Sequence, residues 1–198
     1  REFIDAQPRG TRIGLIAFAG YAEEIAAPTT DKDELRAAVD GLTTGRGTAI
    51  GAAILKAVDA IASVNPGVKP IQPGEVPVPD QLEQTEPLAP PADVAPPTAQ
   101  TIPDIVVLLT DGANTRGVTP VDAAKAAGAR GIRVYSIGFG TAEPTRMVCT
   151  REQLGADAFA EGGPYGAGDV ARFLVVDDPT MKAAATATGG THSPATDR

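Results

Sequence analysis

Two side chains stand out for the chemistry they could do. Asp111 places a carboxylate directly after the run Ile-Val-Val-Leu-Leu-Thr (105–110), and Thr48 places a hydroxyl at the end of the glycine loop Gly45-Arg46-Gly47-Thr48. Both offer hard oxygen donors, the kind of ligand that Mg²⁺ or Mn²⁺ accepts. Two oxygens do not make a metal site, and each residue also has a purely local reading. An aspartate after a strand can serve as a turn-former, and a threonine before a helix can serve as an N-cap.

The elements that must position these groups are readable from the pattern around them. The unbroken apolar run from Ile105, without polar alternation, suits a central parallel strand covered on both faces. Asp111 then falls at its carboxyl end, the rim where open α/β sheets bind ligands. Behind the glycine loop, Ile50, Ala53, Ile54, Ala57, Val58 and Ile61 recur at the spacing of an amphipathic helix. A helix so placed carries Thr48 to the same rim if it packs on the sheet.

Around this centre the chain reads as α/β. Residues 1–7 look like the last turns of a helix stopped by Pro8, Ile13 to Phe18 reads as a buried strand, and Tyr21 to Ala26 as its hairpin partner, ended by Pro28. Thr30 is expected to start a helix lined by Leu35, Val39 and Leu42 and ending at Gly41. Thr119-Pro120-Val121-Asp122 signals the start of a helix running to about Gly131, followed by a strand over Ile132 to Phe139. Residues 140–172 give no clear pattern. Phe173 to Val176 suggests a short strand, and Pro179 a last helix that Gly189-Gly190 stops, with Asp177 and Asp178 as its caps. The tail beyond Gly190 is too short and polar for another helix. Cys149 and His192 have no suitable partner nearby in sequence, and both read as structural.

Residues 64–103 differ in character. Prolines recur through the segment, acidic residues are scattered along it and apolar periodicity is lacking, so it reads as a proline-rich insertion, extended or disordered. The rest fits one domain over 1–198. The 17 basic against 25 acidic residues give a net charge of −8 without a basic cluster, which argues against nucleic acid and against direct contact with an anionic membrane. No stretch approaches the ~18 to 20 apolar residues of a membrane span. The opening Arg-Glu-Phe-Ile-Asp has neither an initiator methionine nor a signal peptide, so the chain reads as a piece of something longer.

Several blocks, taken in order, resemble a von Willebrand factor type A domain: Arg12 to Phe18, Pro28-Thr29-Thr30-Asp31, Gly47-Thr48-Ala49-Ile50-Gly51, Val106 to Gly112, and Gly131 to Gly138. The resemblance is strongest to the membrane-anchored bacterial branch that includes the Bat-type aerotolerance proteins, and it covers roughly residues 1–63 and 104–192. It implies a Rossmann-like α/β fold, with a central, mostly parallel sheet flanked by helices. It also implies a metal-ion-dependent adhesion site in which Thr48 and Asp111 help hold Mg²⁺ or Mn²⁺, whose open position takes a carboxylate from a protein partner. The function so implied is a non-enzymatic protein-binding module, with this chain an extramembrane portion of a membrane-anchored parent.

The chain departs from that pattern at its start. The family's first strand carries an Asp-x-Ser-x-Ser motif that supplies most of the metal contacts, and no such triplet precedes Arg12. The family's closing helix is also missing after His192. The expected domain is therefore partial, lacking its first strand, and this chain can be without a bound ion. The alternative function is a phosphatase of the haloacid dehalogenase type using Asp111, with Asp177-Asp178 as its later acids. It lacks the second aspartate of Asp-x-Asp, because position 113 is Ala113.

Overall fold

The computed structural model describes residues 1–43, 45, 47–78, 100–140 and 177–195. The first helix, α1 (Glu2–Ala6), is short and leads into β1 (Ile13–Phe18), which pairs antiparallel with β2 (Ala22–Thr29). β2 continues through Pro28, where the sequence predicts a stop. Its only partner among the described residues is β1, and an edge strand tolerates a residue that cannot donate a ladder hydrogen bond. The next helix, α2 (Lys32–Asp40), is capped by Asp31, which accepts the N–H groups of Asp33 and Glu34, and not by Thr30 as expected.

The longest helix, α3 (Ile50–Val64), carries the core. Ile50, Ile54 and Val58 on its inner face are fully buried against Val106 and Leu108 of β3 (Ile105–Thr110) and Val134 of β4 (Arg133–Gly138). Burying each such side chain contributes roughly 1.5–3 kcal/mol before entropy is counted. β3 and β4 run parallel, with Ile105 opposite Arg133 and Thr110 opposite Gly138. The helix between them, α4 (Pro120–Gly128), starts as its sequence predicts, with Thr119 accepting the Asp122 N–H. Ala123, Ala124 and Ala127 have no exposed surface, and these small residues let α4 approach its neighbours closely.

The last helix, α5 (Asp178–Thr186), follows its cap Asp177 and buries Met181 in the same core. Gly189, in the left-handed region at φ 72, turns the chain back, and His192–Pro194 then forms β5, parallel to β4. β5 was not anticipated, because three residues are too few to show an alternation. The expected strand over 173–176 and Cys149 lie outside the described residues.

Among the described residues β1–β2 and β3–β4–β5 are separate sheets, and no strand joins β1 to β3. This is the expected mixed α/β architecture without its first strand. The two sheets share a floor: α3 packs on β1, β2 and β3, and Phe18 joins the core of Val106 and Leu108. On the opposite face of β1, Ile13 and Leu15 pack with Ile4, Ala26, Leu35 and Val39, so α1 and α2 cover that side. The corresponding face of β3 is open, with Ile105 44 % and Leu109 51 % exposed.

The ends of the expected 64–103 insertion belong to the fold, which corrects its boundaries. Val68 and Val76 are buried in the core and Ile71 packs against it. Arg130 donates to the Lys69 and Pro70 carbonyls and to both carboxylate oxygens of Glu75, while the Ile102 N–H bonds the Gly131 carbonyl. Pro66, Pro70, Pro73 and Pro77 break up the stretch that holds Val68, Ile71 and Val76, so no helix or strand pattern could reveal them. Residues 79–99 lie outside the described residues.

Candidate functional site

Thr48 lies two residues before α3 and Asp111 directly after β3, both at the carboxyl end of the parallel strands as the sequence predicts. The loops that carry them are tied together. The Thr48 N–H donates to Thr115 Oγ1 at 2.8 Å, and the Thr48 carbonyl accepts the backbone N–H groups of Thr115 at 2.8 Å and Arg116 at 3.3 Å. Next to this pair, the Ile50 N–H donates to Asn114 Oδ1 at 2.8 Å and the Ala49 N–H to the Ala19 carbonyl at 2.6 Å. These main-chain groups of the two loops are therefore satisfied without the two candidate side chains.

The local readings of those side chains fail on the same geometry. The residue capping α3 is Ala49, so Thr48 is not its N-cap, and the cap bond comes instead from Asn114 across the rim. The turn after β3 is built by Thr110, whose Oγ1 donates to the Gly112 carbonyl and accepts the Gly112 N–H, not by Asp111. Among the described residues neither the Thr48 hydroxyl nor the Asp111 carboxylate enters a hydrogen bond, and Asp111 is exposed. Among the described residues, two oxygen groups thus stand uncommitted on a fixed rim. Their type suits a hard divalent ion, but their number does not fill its shell. Among the described residues no group of three His, Cys, Asp or Glu side chains could complete it.

The phosphatase reading has no support in this arrangement. Ala113 is buried where a second acid would have to face substrate. Asp177 and Asp178 stand at the start of α5, where Asp177 accepts the Thr180 N–H as its cap and Asp178 pairs with His192.

Sequence reasoning missed the residues that hold the rim, Asn114 and Thr115, and a further hydrogen-bonded set. His192 Nδ1 lies 2.9 Å from Ser136 Oγ, and His192 Nε2 lies 3.0 Å from Asp178 Oδ1. A serine, a histidine and an aspartate in contact invite comparison with a hydrolytic triad, but Ser136 is 1 % exposed in the middle of β4. No substrate carbonyl can reach its oxygen. The set ties β4, β5 and α5 together, which gives His192 the structural role its sequence suggested.

Comparison with known proteins bears on the same regions. A family profile described as von Willebrand factor type A domain matches residues 1–114. A UPF0353 protein of Mycobacterium ulcerans (strain Agy99) is 30 % identical over 199 residues, covering 96 % of this chain and 45 % of its own length. A UPF0353 protein of Mycobacterium tuberculosis matches to the same extent. The chain thus spans somewhat under half the length of these relatives. Among solved structures, BatB from Bacteroides thetaiotaomicron superposes with a TM-score of 0.59 at 20 % identity, covering 100 % of this chain and 76 % of that one. An aerotolerance-related membrane protein from Bacteroides fragilis gives 0.56 at 19 % identity, covering 99 % and 77 %. At such identities these two likenesses concern the fold alone.

Proposed function

We propose that this chain, which belongs to the von Willebrand factor type A domain family, is a protein-binding module and not a catalyst, and that its complete form grips a partner through a divalent ion held in part by Thr48 and Asp111. The observation that carries the reading is the pair of uncommitted oxygen groups on a rim whose loops are fixed by Asn114 and Thr115. Positioning of that kind costs the chain its loop entropy at folding instead of at binding.

When bound, the ion would supply an electrophilic position for a carboxylate oxygen of the partner, while Thr48 and Asp111 would contribute two of its ligands. The parent protein is proposed to be membrane-anchored, with this part outside the bilayer. Support for that part of the reading comes from the fold likeness to an aerotolerance-related membrane protein. No helix of the described residues is long and apolar enough to cross a membrane.

Electron paramagnetic resonance of Mn²⁺ bound to the longer parent protein tests the proposal. Thr48→Ala and Asp111→Ala should each release bound Mn²⁺ at a concentration where the unaltered protein retains it. Retention by both variants would sink the reading.

A further inference from the structure

Beyond Thr48 and Asp111 the rim carries three large exposed side chains, and close packing of glycines brings two of them to the same loop. The turn between β1 and β2 closes with the Ala19 N–H on the Tyr21 carbonyl at 2.8 Å. Gly20 of that turn abuts Gly47 so closely that a Cβ on Gly47 would lie 3.4 Å from the Gly20 Cα. The same added atom would lie 2.9 Å from Arg116 Nε, so the Arg116 side chain lies across the Gly47 loop with the Tyr21 turn beside it. At the end of β4, the Phe139 N–H bonds the Thr110 carbonyl at 2.8 Å, which sets Phe139 next to the residue preceding Asp111.

Tyr21 is 69 % exposed and Phe139 44 %. Arg116 is exposed and enters no ion pair among the described residues. A single exposed apolar residue needs no explanation. Two aromatic rings and a guanidinium framing one rim are a different matter, because Tyr, Phe and Arg are the types enriched where proteins bind each other.

We infer that Tyr21, Arg116 and Phe139 form a contact surface for a peptide segment that presents one carboxylate between apolar residues. The inference rests on the protein-binding reading and names the chemistry of the partner. Arg116 offers paired donors in the planar geometry that matches a carboxylate, and the two rings offer apolar area with few rotatable bonds to immobilise. The net charge of −8 repels a run of acids at longer range, so the fitting segment sets one acid on Arg116, apart from the carboxylate that the ion would take.

The test uses the full chain, labelled with ¹⁵N, in an Asp111→Asn background, so that neither a bound ion nor the Asp111 charge contributes. It is titrated with the capped peptide Gly-Leu-Asp-Leu-Gly and with its counterpart carrying Asn for Asp, and amide shifts are followed. Shifts are expected at Gly20, Tyr21, Gly47, Arg116 and Phe139, with the acidic peptide bound about fivefold more tightly, which is about 1 kcal/mol. Arg116→Gln should abolish that difference, while Tyr21→Ala and Phe139→Ala should each weaken both peptides about fivefold. Absence of shifts, shifts confined to another face, or a preference for the acid that survives Arg116→Gln would overturn the inference. If these results hold while the parent protein binds no ion, the metal reading falls and this surface stands.

Discussion

Asn114 Oδ1 accepts the Ile50 N–H at 2.8 Å, so the loop after β3 supplies the cap that α3 lacks from its own N-cap residue, Ala49. One bond therefore couples the start of the main core helix to the loop that carries Asp111. The Asn114 amide is held in turn, donating to the Arg116 and Val118 carbonyls at 3.3 and 3.4 Å. Asn114→Ala should cost ~1 kcal/mol, the usual worth of a cap, as a lower urea midpoint. Asn114→Asp keeps the acceptor and adds a charge favourable at a helix N-terminus but loses the two donations, so it should fall in between. If Asn114→Ala unfolds at the same urea concentration as the unaltered chain, the coupling is incidental.

Gly51 gives a prediction whose sign runs against helix propensity. Replacing a helical glycine by alanine ordinarily gains about 1 kcal/mol. Here a Cβ on Gly51 would stand 2.1 Å from the Val118 carbonyl oxygen and 2.7 Å from its carbon, both backbone atoms with little freedom to move. Gly51→Ala is expected to lower stability by roughly 1–3 kcal/mol, the cost of overpacking. A raised melting temperature would mean that α3 does not sit against the 113–118 loop as described.

What the sequence made legible was whatever its neighbours decide. The β3 run, the Thr119-Pro120 helix start and the helical stripe from Ile50 to Ile61 are local patterns, and each formed where expected. So did the placement of Thr48 and Asp111 at one end of the strands. The fastening of the site was not legible, because Asn114 meets Ile50 across 64 residues and Thr115 meets Thr48 across 67. The same holds for His192, whose partner Ser136 is 56 residues away, and for Val68 and Val76, buried among prolines by contacts that no period announces.

Acid should loosen the clasp between Arg130 and Glu75. The Arg130 hydrogen bonds, and after them the Gln72 backbone N–H, hold the Glu75 carboxyl down from 4.5 to about 2. A carboxyl lowered on folding stabilises the fold above its ordinary value, and that contribution fades as pH falls from about 4.5 through about 2. Glu75 is 31 % exposed, so solvent screening keeps the effect to about 1 kcal/mol. Stability measured from pH 6 to pH 2.5 should therefore fall more steeply for the unaltered chain than for Glu75→Gln. Parallel curves would refute the clasp.

Association is expected at the open flank of β3. Among the described residues the edge of β3 that faces β1 has no strand partner, and Leu109 beside it is half exposed. Unpaired edges next to apolar surface recruit other strands, and a lysine on such a strand discourages it. Light scattering should show the mean mass rising with concentration, and Leu109→Lys should suppress the rise. A mass that stays monomeric at all concentrations would show that the flank is closed in solution.

Metal affinity should depend on how many further oxygens reach the rim. Mg²⁺ seeks about six oxygens in near-octahedral array and gives up its waters reluctantly. Thr48 and Asp111 offer two, and among the described residues no cluster of three acidic, His or Cys side chains adds to them. The chain alone is therefore expected to bind Mg²⁺ or Mn²⁺ weakly, with little heat at millimolar ion in a calorimetric titration. An amino-terminal extension carrying an Asp-x-Ser-x-Ser strand should recover binding, because a strand seated between β1 and β3 would bring its oxygens to the end of the sheet where Thr48 and Asp111 stand. Thr48→Ala and Asp111→Ala should then each weaken the recovered binding. The rim fastened by Thr115 makes a further demand: Thr115→Val, which removes the acceptor for the Thr48 N–H, should weaken it as well, while Thr115→Ser should not. Tight binding by the short chain, or an extended chain indifferent to all these substitutions, would show that the ion sits elsewhere.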